Sequence, residues 1–297
     1  MSSADTILLA IHAAIFFVGL PLLVRLLARL VSAGGAGLPL DGAWPCVTWG
    51  RALGGYQFVV VCFVLHVGLA FGLSFAASRW LVPPAGPQAH PGSTMVWETL
   101  LMAAQWVITC GLILGYIFIR EGGRPEALGL VLRSWPRAAW TGLKTLLATM
   151  PAVIALLISV HYLYMSFARH EPAMHPVLAT LREQPLEHWQ MAALLVMAGL
   201  VMPLFEELFW RGIVLTTMLR SGRAELAIVV SAVLFAVSHP SQEGAFVSMP
   251  ALLALGLGLG YVFYRTRSLA ACAAMHAAFN AYNLALVLLT PVLQKVV

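Results

Sequence analysis

The sequence predicts an all-α, polytopic membrane helix bundle with about eight transmembrane helices and both termini extracytoplasmic. Three observations carry that expectation. Of 297 residues, 61% are hydrophobic and only 10% are charged, whereas a soluble globular chain carries about 25% charged residues. Apolar runs recur at the roughly 20-residue length that crosses a hydrocarbon core. The basic residues, finally, fall very unequally on the two sides of those runs. The composition excludes a soluble enzyme, a disordered chain and a nucleic-acid-binding domain, because most of the surface must face lipid. The net charge of +5 is the kind that cytoplasmic loops of a membrane protein carry, and does not mark a nucleic-acid footprint.

The spans are expected over 6–31, 53–82, 95–119, 141–165, 189–219, 224–240, 248–265 and 268–294. In the first, the run from Ile7 to Val24 leads into Arg25 and Arg29 with no basic stretch ahead of it. It reads as a retained first span, a cleaved signal being the alternative. The second and third are apolar all round, as buried or lipid-facing helices are, and the Pro/Gly-rich stretches Gly34–Pro45 and Pro83–Gly92 beside them read as loops. The fifth carries charges, the sixth ends on His239-Pro240, the seventh has glycines at 256, 258 and 260, and the eighth carries His276 and Asn280. Residues 1–140 show hydropathy without motifs, and 141–297 form the candidate catalytic core. Four well-separated cysteines, Cys46, Cys62, Cys110 and Cys272, contain no CxxC pair and read as apolar filler.

Orientation follows from the basic residues. Arg25, Arg29, Arg51, Arg120, Arg124, Arg133, Arg137, Lys144, Arg220, Arg223, Arg265 and Arg267 fall on one side, and Arg79, Arg169, Arg182 and Lys295 on the other. The positive-inside rule places the twelve in the cytoplasm, and the chain is expected in a cell membrane such as a bacterial inner membrane. Arg211 belongs to neither side, because it lies within the fifth span.

That span reads Pro203-Leu-Phe-Glu206-Glu207-Leu-Phe-Trp-Arg211-Gly212. A charge near the bilayer centre costs at least ~2.5–3.5 kcal/mol, so three in one span need a reason. Glu207 and Arg211 are four apart and can pair on one helix face. Glu206 lies about 100° round the helix and needs another partner or a reactive role. A structural ion cluster would account for two of the charges and leave the third.

Partners come from later spans. By the helical rise, Glu206 lies roughly 21 Å from Arg220, His239 roughly 24 Å from Arg223, and His276 and Asn280 roughly 14 and 20 Å from Arg267. Four polar groups from three helices thus converge in one slab of membrane, and His276 and Asn280 share a face. His12, His66 and His161 read instead as interhelical hydrogen bonders. His170-Glu171-Pro-Ala-Met-His175 is not HExxH, since its histidines are five apart with a proline between them. There is no GxSxG, and the two aspartates, Asp5 and Asp41, lie outside the spans, which excludes a paired-aspartate protease. A glutamate, two histidines and an asparagine suit water activation with oxyanion stabilisation, with or without a metal.

EExxxR (Glu206, Glu207, Arg211), FxxxH (Phe235, His239) and HxxxN (His276, Asn280), in this order, resemble the CPBP family of intramembrane proteases, which includes the CAAX prenyl endopeptidases and bacterial self-immunity proteins. The resemblance covers about 189–283. It implies that Glu206 is the general base, that His239 orients the attacking water, that His276 and Asn280 donate to the oxyanion, and that Glu207 with Arg211 fixes the helix and tunes Glu206. It implies a peptide or lipidated protein substrate met within membrane lipid, and no nucleic acid. The oligomeric state is open. The cofactor is open too: Glu206, His239 and His276, with Glu207, could supply a His2Glu-type zinc shell, and a metal-free glutamate mechanism fits the same residues. A non-proteolytic membrane immunity or peptide-binding protein is the alternative function, and would not require Glu206.

Overall fold

The computed structural model describes residues 3–32, 55–76, 79, 91–120, 122–131, 134–170, 172, 174–219, 223–239 and 245–296. Among them there is no strand, and every expected span coincides with a helix: α1 (Ser3–Ser32), α2 (Gly55–Ala76), α3 (Pro91–Gly115), α4 (Trp135–Ala168), α6 (His188–Leu219), α7 (Ala224–Val237), α8 (Met249–Thr266) and α9 (Leu269–Val296). A short helix that hydropathy does not announce, α5 (Pro176–Glu183), lies between α4 and α6. Among the described residues, five stretches are long and apolar enough to cross a membrane: Gln57–Ala76, Thr94–Ile119, Trp135–Ala168, His188–Leu219 and Leu269–Thr290. Leu9–Arg25 and Ala224–Val237 are shorter apolar helices.

α3 starts at Pro91, inside the expected loop, because proline suits the first turn of a helix, where its missing N–H has no partner to lose. The rest of that loop, the 34–45 loop, Asp41, Cys46, Arg51, Arg133, Glu171, Arg220 and Pro240 lie outside the described residues, as do the side chains of Asp5, Arg29, Arg120 and Lys295.

Large apolar side chains face outward along the helices. Phe71, Ile119 and Phe167 are each more than 70% exposed, which water would penalise and lipid does not. The interior is built on α6: Phe209, Trp210, Ile213 and Leu215 are sealed against Phe235 of α7, Leu255, Leu259 and Phe263 of α8, and Met275 of α9. α4 runs behind this layer, packed on α9, α8 and α1.

Two glycines set the spacing. Gly129 has φ +82°, a left-handed conformation that glycine takes without strain, and its carbonyl accepts the Leu269 N–H at 2.9 Å. The α3–α4 connection therefore caps the start of α9, which puts that connection and the α8–α9 turn at one end of the bundle, as an alternating topology requires. At Gly142 of α4, a β-carbon would overlap the Ala271 carbonyl of α9. Gly142→Ala should lower stability by about 1–3 kcal/mol through overpacking, read as a reduced Tm of the purified protein in detergent. An unchanged Tm would show that the two helices separate freely at this crossing.

The seventh expected span packs as its small residues suggest. β-carbons at Gly256 and Gly260 would press on Ala232 and Ile228 of α7, and one at Gly258 on Thr149 and Met275. Close approach of α8 to α7 and α4 is what these positions provide.

Candidate active site

α6 is not a regular helix. The N–H of Met202 reaches back to the Met197 carbonyl, so the turn Met197–Val201 is one residue wide of α-helical register. In that register the Ala198 carbonyl would next be served by residue 203, which is proline and has no N–H. The orphaned carbonyl is taken by Asn280 of α9, whose Nδ2 donates to it at 2.8 Å. Pro203 thus leaves a bonding site for a neighbouring helix, and HxxxN supplies the group that fills it. A second wide stretch, Leu208–Leu215, follows Glu207.

Between the wide stretches stand Glu206 and Glu207. Glu207 Oε1 accepts from Arg211 Nη1 at 2.9 Å and from His276 Nδ1 at 2.8 Å, and Glu207 and Arg211 are both fully buried. The guanidinium is held further by the Gly256 carbonyl, 3.3 Å from Nη2, and by the Phe235 ring, whose centroid is 4.5 Å away, an attraction of cation for aromatic face. The pairing expected from the i,i+4 spacing is present.

Glu206 Oε2 lies 3.5 Å from His239 Nε2 and 3.8 Å from His276 Nε2. Both rings are fixed from behind. α7 ends at Val237, leaving the Phe235 carbonyl among the unserved acceptors of a last helical turn. His239 Nδ1 donates to it at 2.6 Å and Ser238 Oγ at 2.8 Å. That is the physical content of the FxxxH spacing.

A carbonyl can only accept, so the His239 proton is on Nδ1. The Glu207 carboxylate, paired with Arg211, likewise puts the His276 proton on Nδ1. Each ring then turns its Nε2 toward Glu206, an acceptor while the ring is neutral and a donor to the carboxylate once it is protonated. With both rings neutral, a water seated there donates its two hydrogens to two of these three acceptors. The oxyanion-donor role implied for His276 would require a protonated ring.

Side-chain exposure falls from 28% at His239 through 14% at Glu206 and 4% at His276 to zero at Glu207 and Arg211. The site opens at the end of α7 and is closed beneath. Of the six residues singled out in the sequence, five form one contact network. Asn280 joins it through α6, at Ala198. Among the described residues, no group of three or more His, Cys, Asp and Glu side chains is disposed to hold a metal ion, so the geometry as it stands is not a zinc shell.

The sequence reading set aside two further imidazoles that lie within electrostatic reach of Glu206, those of His66 and His175. His175 precedes α5, outside the spanning helices. Its ring is pushed below the ordinary imidazole range by desolvation first and by nearby His239 second, against the pull of Glu206. No one-dimensional signal marks either residue. His66 is brought in by helix packing and His175 by a loop.

Fold and site together define a polytopic helical membrane protein with a buried carboxylate–histidine centre. Residues 188–282, from the start of α6 into α9, match a family model described as Type II CAAX prenyl endopeptidase Rce1-like, consistent with a protease of the CPBP family. The match spans about a third of the chain and contains all six site residues. No curated protein and no solved structure matches the chain.

Proposed function

We propose that the protein is an intramembrane endopeptidase that hydrolyses a peptide bond in a membrane-associated or prenylated, CaaX-type substrate. The observation that carries this reading is the convergence of Glu206 Oε2 with two imidazole Nε2 atoms whose Nδ1–H groups are already committed. A water donating to Glu206 and to His239 is held with its oxygen lone pair directed into the site. Glu206 takes one proton as the oxygen adds to the scissile carbonyl carbon. The negative charge develops on the carbonyl oxygen, where the Asn280 N–H not used by Ala198 can donate. As the C–N bond breaks, the protonated Glu206 returns that proton to the leaving amine. Glu207 and Arg211 hold His276 and the α6 backbone in place throughout. We assign the catalytic core to 141–297 and both termini to the extracytoplasmic side, the latter supported by the twelve-to-four division of basic residues.

The test is cleavage by the purified full chain in proteoliposomes, using a reporter peptide with and without a prenyl group and one carrying a transmembrane segment. Cleavage of at least one is expected. Failure on all three, with the protein folded, removes the protease reading. Elemental analysis before and after chelation, with cleavage measured in both states, decides the metal question on the same preparation.

A further inference from the structure

We infer that the groove between α6 and α9, beside the catalytic centre, seats the isoprenoid chain of the substrate, and that α5 limits how long that chain can be. The inference rests on the protease reading and adds to it a lipid subsite with a length preference.

The groove lies where the two helices part. Asn280 ties α9 to α6 at the Ala198 carbonyl, and the neighbouring residue on each helix, Gly199 and Ala281, lines a cleft of about 430 Å³. From there it runs on between Leu195 of α6 and Leu288 of α9. The wide turn Met197–Val201 falls at this point, and a wide turn bends a helix. Gly199 keeps the floor open. A β-carbon there would stand 3.3 Å from Leu284 Cδ1, so a longer side chain would enter the cleft.

Continuity with the centre is carried by α9. His276, Asn280, Leu284 and Leu288 recur every four residues and so share one stripe. The first two bond to Glu207 and Ala198, and the last two line the groove. On α6, Gly199 is seven residues from Glu206, roughly 10 Å along the axis. A chain attached beside the scissile bond therefore runs from Glu206 past Asn280 into the groove.

The lining and the size select the occupant. Every lining residue is apolar, and Val196 and Leu200 stand half or more exposed along the rim, so the groove opens sideways to lipid. A peptide helix is about 10–12 Å across, and over the ~10 Å from Ala281 to Leu288 it would fill roughly twice this volume. A linear hydrocarbon fits. In a CaaX-type substrate the isoprenoid hangs from the cysteine beside the bond to be cut, so the continuous track favours that chain over the acyl chain of a bilayer lipid.

The far end is closed. α5 precedes α6 at the end remote from Glu206, and its Val177, Leu178 and Leu181 form one apolar cluster with Leu194 and Leu195 of α6 and Leu284 of α9. Leu195 and Leu284 belong both to the groove and to the plug behind it. A groove with a stop selects by length.

In the proteoliposome assay, one peptide sequence carries no lipid, a farnesyl group or the longer geranylgeranyl group. The farnesyl reporter should show the highest kcat/KM. Ala285→Leu fills the groove from an exposed position and should cut kcat/KM for the farnesyl reporter at least about tenfold, as a misfit in an apolar pocket does. The bare peptide and the transmembrane-segment reporter should be unaffected. Leu195→Ala lengthens the groove and should raise the geranylgeranyl-to-farnesyl ratio of kcat/KM about tenfold. A farnesyl advantage that survives Ala285→Leu in full overturns the inference. So does an equal loss on the transmembrane-segment reporter, which is what a helix-binding or purely structural groove predicts. An unmoved ratio in Leu195→Ala overturns the length limit set by α5. Should Ala285→Leu not accumulate, Leu195→Ala decides alone. A wild-type protein that cleaves the bare or transmembrane reporter and gains nothing from a prenyl group sinks this inference and spares the protease reading. One that cleaves no reporter sinks both.

Discussion

Glu206→Gln should reduce reporter cleavage by at least about a thousandfold, the upper part of the range for removal of a positioned general base, with expression and membrane insertion unchanged. The reasoning is geometric. Glutamine is isosteric, and toward neutral rings its amide can donate to the Nε2 atoms of His239 and His276, which stand 3.5 and 3.8 Å from the carboxylate oxygen it replaces. The fold loses nothing and gains a satisfied contact, while the one group able to take a proton from water is gone. Initial rates in proteoliposomes, with size-exclusion profiles of both proteins, make the comparison. Cleavage within tenfold of wild type would refute Glu206 as the base, and would favour a binding or immunity role for the cluster.

The second large effect concerns Glu207, and here stability is the first casualty. Glu207→Ala leaves the fully buried Arg211 guanidinium with the Gly256 carbonyl and the Phe235 ring as its remaining partners. Stranding one member of a buried pair costs about 3–5 kcal/mol. The same change frees His276 Nδ1, so the tautomer that turns Nε2 toward Glu206 is no longer fixed. Replacing both charges, as Glu207→Leu with Arg211→Met, removes the stranded cation and should restore most of the Tm. Activity should stay low in the double variant, because His276 remains unheld. Full recovery of both would show that the pair serves folding only, and an unchanged Tm in the single variant would show that Arg211 finds another partner.

Much of this was legible in the sequence, for physical reasons. Spans announce themselves because lipid tolerates so few charges, and an i,i+4 pair of opposite charge in a span has little else to do. Depth along a helix is simple arithmetic, and it brought Glu206, His239 and His276 to one level. Other features depend on backbone register or on helix neighbours. The wide turn before Met202 and the carbonyl it frees for Asn280 follow from which hydrogen bonds form, and Pro203 alone announces only a missing N–H. The tautomers of His239 and His276 depend on Phe235 and Glu207 in space. α5 is amphipathic and eight residues long, too short and polar for a search at membrane length. His66 carries no local sign of its place, since Glu206 lies 140 residues further along the chain.

The Glu207–Arg211 pair also has a consequence for how the chain is made. A ribosome delivers α6 before α7 and α9. Within α6 the two opposite charges travel together, so this part of the helix can leave the translocon already neutralised. Glu206 has no such companion. His239 follows it by 33 residues and His276 by 70, so the side chain proposed as the base is the last of the three charges to find its counterpart. Assembly of the bundle and completion of the catalytic centre are then a single event, and a nascent chain halted before α9 would hold a helix already inserted and a site not yet built.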